Sequence, residues 1–246
     1  MFKHTILLAA VAGLVLALAA GSANAGIVSI NAITGFHGGQ YTGLLPDLIT
    51  GTGMTKPDPL DPSTWTATPA GYSDEWEATS LLNSATSANS KIGWVAFDLG
   101  SSTAGLQKLY FWNLRDGGGD RGTKNYNIYY SNTPTVALPA MPGDRALANT
   151  GLTPTGDYDF ASGGWTLFNT SGSLSLTKAT SVATGLGGIV DLGGISARYI
   201  GVEILTNWGT TRANVGLSEV ALTPEPATMA LLGLGGLGLV LGRKRK

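Results

Sequence analysis

The sequence predicts an all-β domain, a single antiparallel sandwich or barrel, between two hydrophobic end segments. The middle of the chain contains many short segments in which apolar and polar residues alternate, separated by Gly, Ser, Thr and Asn. Glu and Lys, which commonly fill exposed helices, are scarce there. No long segment with a period of 3.6 residues occurs before the C-terminal tail.

The N-terminal segment has the pattern of a secretory signal peptide. Lys3 and His4 precede an apolar run from Ile6 to Ala20, and Ala23-Asn24-Ala25 supplies the small residues of a cleavage site before Gly26. Such a leader is removed after export and is not a fold element. We therefore assign residues 1–25 to a signal peptide and expect the body of the protein outside the cytoplasm.

The domain at residues 26–222 is predicted from its alternating segments. In Arg198–Leu205, for example, Ile200, Val202 and Ile204 are expected to point inward and Glu203 outward. The predicted strands are Trp94–Gly100, Leu106–Leu114, Asn125–Tyr130, Trp165–Phe168, Leu174–Thr177, Arg198–Leu205 and Ser218–Leu222. Thr52–Ser90 and Asn132–Gly164 interrupt them as long insertions, which are either functional loops or decoration.

The composition of this body argues against several functions. It retains 10 of the 15 basic and 15 of the 16 acidic residues, which gives a net charge of about −5. Without a basic cluster, nucleic acid is not expected as a partner. Without cysteine there are no disulfides or thiolate metal sites. His37 is the single histidine of the body, so neither a histidine-assisted nucleophile nor a zinc enzyme is expected.

One catalytic alternative stays open, because two-carboxylate glycoside hydrolysis needs only Asp and Glu at a suitable separation. Acidic residues cluster at Asp74, Glu75 and Glu77, at Asp116 and Asp120, and at Asp157 and Asp159. Each cluster is more simply a solvated loop, and we predict that the protein is not an enzyme.

The C-terminal segment, residues 223–246, combines three features. Pro224, Glu225 and Pro226 form a rigid break, because proline fixes φ and lacks an amide donor, so the chain there should be extended and open to a protease. The uncharged stretch Ala227–Leu241 has 15 residues, fewer than the roughly 20 of a straight membrane span. The basic end consists of Arg243, Lys244, Arg245 and Lys246. These cations favour a cytoplasmic C-terminus.

This order of a Pro-Glu-Pro break, an apolar helix and a basic end closely resembles the PEP-CTERM tail of exported proteins in Gram-negative bacteria that make extracellular polysaccharide. The resemblance implies transient anchoring in the inner membrane, processing by an exosortase-type protease, and delivery to the cell surface or the exopolysaccharide matrix. The alternative is a plain transmembrane anchor that is never cut.

The body is similar to a second family. Its sequence segments, in order, are Phe97-Asp98-Leu99-Gly100, Leu109–Asn113, Arg121-Gly122, Tyr126–Ser131, Ala197–Ile200 and Gly216–Leu222. This order resembles discoidin-type domains, the coagulation factor 5/8 C-terminal group, whose fold is shared by galactose-binding-like carbohydrate-binding modules. The resemblance covers roughly Asn31–Leu222 and implies an eight-stranded jelly roll that binds ligands with the loops at one end.

The same resemblance implies a structural calcium ion. In the family, Ca²⁺ often lies near an N-terminal Asp-Gly turn and an acidic residue of the closing strand. Glu219 supplies the second of these, whereas Thr50 stands where the first acid is expected and Asp47 is nearby. Glu219 and Asp47 are therefore the predicted metal ligands. The alternative is that Glu219 only hydrogen-bonds the turn.

Carbohydrate binding needs an aromatic face for the C–H side of a sugar and amide or guanidinium groups for its hydroxyls. Such residues flank a glycine-rich loop and occupy the loop before the closing strand. The predicted ligand-binding residues are Trp208, Arg212, Asn207, Trp112, Asn113 and Arg121. Two alternatives stay open: Trp112 belongs to the core, and Arg121 pairs with Asp116 or Asp120.

Two functions follow from these observations. The first is an exported surface or matrix protein that binds polysaccharide or a surface glycan. The second is a structural matrix protein that binds no small ligand.

Overall fold

The computed structural model describes residues 26–36, 45–68, 74–79, 91–115, 119–139, 157–180, 185–209 and 214–225. The predicted signal peptide and the predicted transmembrane helix lie outside these residues. Within them, no helix has the length and apolar character needed to cross a membrane.

Antiparallel strands make up most of the regular structure. The strands are β1 (Ala32–Gly35), β2 (Met54–Thr55), β3 (Thr66–Ala67), β4 (Trp76–Thr79), β5 (Gly93–Asn113), β6 (Thr123–Ser131), β7 (Thr166–Leu167), β8 (Leu174–Ser175), β9 (Gly188–Asn207) and β10 (Asn214–Pro224). Helix α1 (Asp47–Thr50) is a single turn, and Pro62–Thr64 forms a 3-10 turn. The prediction of an all-β antiparallel sandwich is confirmed.

Two long strands, β5 and β9, shape the sandwich. They pair twice, residues 93–98 with 199–204 and residues 106–111 with 188–195, and the register shifts between the two stretches. Glycines with positive φ lie at the shift, including Gly100 at 81° and Gly194 at 77°. Glycine adopts this conformation without steric cost. The ribbon thus bends on itself, and both strands serve two sheets.

We call the two layers the front sheet and the back sheet. The front sheet contains β1, residues 93–98 of β5, residues 199–207 of β9, β6, β7 and β8. The back sheet contains residues 188–197 of β9, residues 103–113 of β5, β10 and β4. Phe111 of the back sheet and Tyr126 of the front sheet meet edge to face with ring centroids 5.2 Å apart. The main core therefore lies between the layers.

The predicted faces of β9 are right, but its outer face is covered rather than exposed to solvent. Ile200, Val202 and Ile204 are fully buried, as predicted. Glu203, predicted to face outward, is only 1% exposed. Residues 157–165 lie across the outer face of the front sheet, and Phe160 packs directly on Gly201. The inserted segment thus buries this part of the outer face of the front sheet.

The two ends of the sandwich differ. At the loop end β5 and β9 finish at Asn113 and Asn207, and β6 and β10 begin. At the bend end both described termini lie together. The amide of Val28 donates to the carbonyl of Leu222 at 2.9 Å, and the amide of Glu225 donates to the carbonyl of Gly105 at 2.6 Å.

Candidate functional site

Asn113 closes the loop end from inside the protein. Its side chain is fully buried, and Nδ2 donates to the carbonyls of Thr123 at 2.7 Å and Thr177 at 2.9 Å, while Oδ1 accepts from the amide of Leu114 at 3.0 Å. Its side chain ties three chain segments together and is inaccessible in this structure, so this geometry does not favour the predicted ligand contact of Asn113.

Trp112 is a core residue. Its ring is 0% exposed and stacks on Trp65 with centroids 5.6 Å apart, and its Nε1 donates to the carbonyl of Trp65 at 3.1 Å. Residues 51–68 cover the outer face of the back sheet here and form a small second core with Tyr110 and Ala221. Of the two predicted roles of Trp112, ligand platform or core, the structure supports the core.

Arg121 pairs with a buried acid of β4, and Asp116, one of its two predicted loop partners, lies outside the described residues. Its Nη1 lies 3.0 Å from Oε1 of Glu77 in β4, and Nδ2 of Asn214 donates to the same oxygen at 2.7 Å. Asp120 instead pairs with Lys178. Arg121 therefore lies at the loop end as predicted, with 36% of its side chain exposed, but its guanidinium is held by Glu77.

Sequence reasoning missed the role of the acids at the start of β4. Glu75 and Glu77 were expected in a solvated loop, yet each is 2% exposed. Oε1 of Glu75 accepts from Ser218 Oγ at 2.6 Å and lies 3.9 Å from Arg115 Nε. The period-2 spacing of the two acids was the available signal that they share one face of a strand.

Asn207 and Trp208, which we call the loop-end pair, keep unused hydrogen-bonding groups. Nδ2 of Asn207 donates to the carbonyl of Asn214 at 2.7 Å, but its buried Oδ1 has no partner among the described residues. The buried Nε1 of Trp208 has none either. The ammonium of Lys124 lies 4.8 Å from the centre of the Trp208 ring, a contact that the sequence did not suggest. Arg212 lies outside the described residues.

The predicted metal ligands lie together on the back sheet. Glu219 in β10 is 1% exposed, and Asp47 opens helix α1, which packs against that strand, with 5% exposed. The amide of Gly51, the left-handed residue that ends the helix, donates to Oε2 of Glu219 at 3.1 Å. Burial raises the pKa of Glu219 to about 8, against the opposing effects of the Lys56 ammonium and this amide, and the Asp47 charge raises it further.

The described side chains supply few of the oxygen ligands that a calcium ion takes. Ca²⁺ takes six to eight oxygen ligands. The described part of the chain groups no three acidic or histidine side chains around one point. The hydroxyl of Thr50, where the family places an acid, pairs with that of Thr52 at 2.8 Å. An ammonium is also present, because Lys56 Nζ lies 3.9 Å from Oε1 of Glu219.

The sorting residues begin inside the fold. Pro224 is the last residue of β10 and pairs with Leu106, and Glu225 follows it at the exposed surface of the bend end. Pro226 and the basic residues Arg243, Lys244, Arg245 and Lys246 lie outside the described residues.

Comparison with known proteins supports the reading of the tail. Residues 222–246 match the family model of the PEP-CTERM protein-sorting motif. This confirms the predicted tail and indicates an exported protein with a C-terminal membrane-anchoring signal. No sequence among the curated proteins matches the chain.

The solved structures that are similar to this chain include carbohydrate-binding modules. Chitosan-binding module 1 of a Paenibacillus sp. IK-5 chitosanase/glucanase is 15% identical, over 80% of this chain and 97% of that one, with a TM-score of 0.42. A Streptococcus pneumoniae fucose-binding module is 12% identical, over 81% and 95%, with a TM-score of 0.43. The family 32 module of C. perfringens NanJ, solved with galactose, is 11% identical, over 80% and 97%, with a TM-score of 0.43.

Proposed function

We propose that this protein is an exported carbohydrate-binding protein of a Gram-negative cell surface or exopolysaccharide matrix, and that its loop end holds the glycan. In this proposal the tail anchors the chain transiently in the inner membrane, and an exosortase-type protease then releases it. The discoidin resemblance of the sequence and the sorting motif support the proposal.

The observation that carries the binding proposal is the loop-end pair. A buried donor or acceptor without a partner is costly, and such groups in folded proteins usually have a role. Among the described residues, Asn207 Oδ1 is a buried acceptor and Trp208 Nε1 a buried donor without a partner, on consecutive residues. Both atoms are shielded, so a sugar hydroxyl reaches them only when the loop end opens; it can then donate to the first and accept from the second, while the half-buried indole packs against the C–H face of the ring.

The position of the sorting tail is consistent with this role. β10 runs from Asn214 at the loop end to Pro224 at the bend end, a length of about 35 Å at roughly 3.3 Å per residue. A tail that leaves at the bend end holds the loop end away from the membrane. The proposed glycan site then faces outward even before the protein is released.

Retention on a column of immobilised exopolysaccharide tests the binding proposal. Trp208→Ala should weaken retention about tenfold, equivalent to about 1.4 kcal/mol, and Trp208→Phe should keep part of it. Leu60→Ala, at a 51% exposed apolar residue of the segment that covers the back sheet, is the control and should bind like the parent. Equal retention of the parent and Trp208→Ala would contradict the proposal.

A structural matrix protein without a small ligand is the second candidate. The side chains of Asn113 and Arg121 already have protein partners, which favours it. A parent protein that no polysaccharide column retains would support this candidate. Release of reducing ends from a glycan panel would instead support the hydrolytic alternative.

Mass spectrometry of the protein recovered from the cell surface tests the processing. The mature chain should contain neither residues 1–25 nor residues 227–246. Recovery of intact Arg243–Lys246 from surface material would show a permanent anchor instead.

A further inference from the structure

Two buried carboxyl groups meet beneath the segment that covers the back sheet. Glu219 and Asp47 are 1% and 5% exposed, and both belong to elements that pack against each other. A buried carboxyl group needs a positive partner as well as hydrogen bonds whenever it ionises. The amide of Gly51 supplies one hydrogen bond to Glu219 at 3.1 Å. A nearby group must therefore supply positive charge to Glu219 and Asp47.

Lys56 brings that charge from the covering segment itself. Its Nζ lies 3.9 Å from Oε1 of Glu219 and 4.0 Å from the centre of the Trp65 ring, and 28% of the side chain is exposed. A methyl group added to Gly51 would overlap this ammonium. The cation therefore fills the inside of the turn that Gly51 makes, next to the acid of the closing strand.

We propose that the Lys56 ammonium is the built-in cation of the Asp47–Glu219 pair, and that this chain folds without the calcium ion that its discoidin resemblance implies. An ammonium needs fewer oxygen ligands than a calcium ion, which takes six to eight. One carboxylate and the face of Trp65 suit it, since an indole ring attracts a cation. The absence of an acid at Thr50 is consistent with an ammonium in place of a calcium ion.

Thermal unfolding of the purified protein tests the proposal. The parent should unfold at the same temperature in millimolar calcium chloride and in excess EGTA. Lys56→Met keeps the apolar stem over Trp65 and removes the charge, and it should lower the Tm by several degrees. Adding Glu219→Gln to Lys56→Met should recover part of that loss, because it removes the acid that was left unpaired.

Two matched variants separate this role from general charge effects. Lys56→Arg keeps a cation and should unfold close to the parent. Lys178→Met removes a lysine that is paired with an exposed acid, Asp120, and should change the Tm far less than Lys56→Met. A rise in the parent Tm with calcium would overturn the proposal. So would a Lys56→Met loss that is no larger than that of Lys178→Met, or one that Glu219→Gln does not reduce. If Lys56→Met does not fold, the calcium comparison on the parent and Lys56→Arg still decides.

Discussion

The two outer faces of the sandwich are both covered by inserted segments, and a lysine lies near a buried glutamate in each place. The lysine on the back sheet belongs to its cover, whereas the lysine on the front sheet precedes β5 and contacts the cover at Asp157. On the front sheet Lys91 is 0% exposed, and its Nζ lies 3.0 Å from Asp157 Oδ1, 3.3 Å from Glu203 Oε1 and 2.7 Å from the carbonyl of Tyr158. On the back sheet Lys56 is partly exposed and lies 3.9 Å from Glu219.

This difference shows two ways to hold an insertion against a sheet. An ammonium that has lost all water must direct its N–H groups at protein oxygens, and Lys91 has three of them within 3.3 Å. A partly exposed ammonium keeps water as a partner and can lie over a ring, as Lys56 does over Trp65. The front cover therefore combines a buried ion network with aromatic packing of Tyr158, Phe160 and Trp165. The back cover combines a partly exposed ammonium with the stacked rings of Trp65 and Trp112.

Removing the Lys91 cation beneath the front cover should have the largest effect on the free energy of unfolding. Lys91→Met leaves Glu203 buried without its positive partner and should lower the free energy of unfolding by about 3–5 kcal/mol, measured by urea denaturation. Glu203→Gln in the same chain should restore part of it. A loss below about 1 kcal/mol would show that polar contacts do not fix this cover.

Removing the ring that holds the back cover should come next. Trp65→Ala deletes the stacking partner of Trp112 and should cost about 3 kcal/mol, with a loss of near-ultraviolet circular dichroism from the paired indoles. Leu60→Ala, in the same segment but exposed, is the control and should be close to neutral. Equal effects of the two variants would contradict a cover held by stacking.

A smaller change tests how closely the front cover fits. Gly201→Ala places a methyl group against the ring of Phe160 and should cost about 1–3 kcal/mol by overpacking. Phe160→Leu in the same chain should relieve part of that cost. Gly185→Ala meets open space and serves as the control in the same denaturation series. A neutral Gly201→Ala would show that the cover shifts without cost.

The smallest effect is expected at Asp98, where the front-sheet part of β5 ends. The pKa of Asp98 is lowered, chiefly by hydrogen bonds from Arg198 at 2.9 Å. Because the folded pKa lies below the unfolded one, the pair stabilises the fold at neutral pH and loses that effect as the pH falls through the unfolded and then the folded pKa. Asp98→Asn should therefore be less stable than the parent at pH 7, and the gap should close in acid. Arg198 is 40% exposed, so the difference should be small.

The sequence predicted the parts of the fold that depend on local alternation. Ile200, Val202 and Ile204 were placed correctly because period-2 patterning reports the inner face of a strand directly. The first half of β9 was missed, because Gly193 and Gly194 interrupt its apolar pattern. Glycine in a strand weakens the signal and in this case marks the bend.

The errors at the candidate site have a different cause. Trp112 and Glu203 lie on outer faces, where alternation predicts solvent, and only the covering segments bury them. Trp65 is 47 residues from Trp112 in the chain, and Asp157 is 66 residues from Lys91. Contacts of this range leave no local pattern. Trp208 was identified because it lies in a loop before the closing strand, but its neighbour Lys124 belongs to another strand and could not be found.

The last residues of β10 have a consequence for release from the membrane. Pro224 is still paired with Leu106, and the next amide is bonded to Gly105, so no slack separates the folded body from the rigid motif. In the proposed processing, the folded domain would block a protease from binding this motif until the last residue pair of β10 opens. The rate of cleavage would then depend on how often the end of β10 opens. A misfolded domain in which this end is unpaired would be cleaved at a different rate from the folded one.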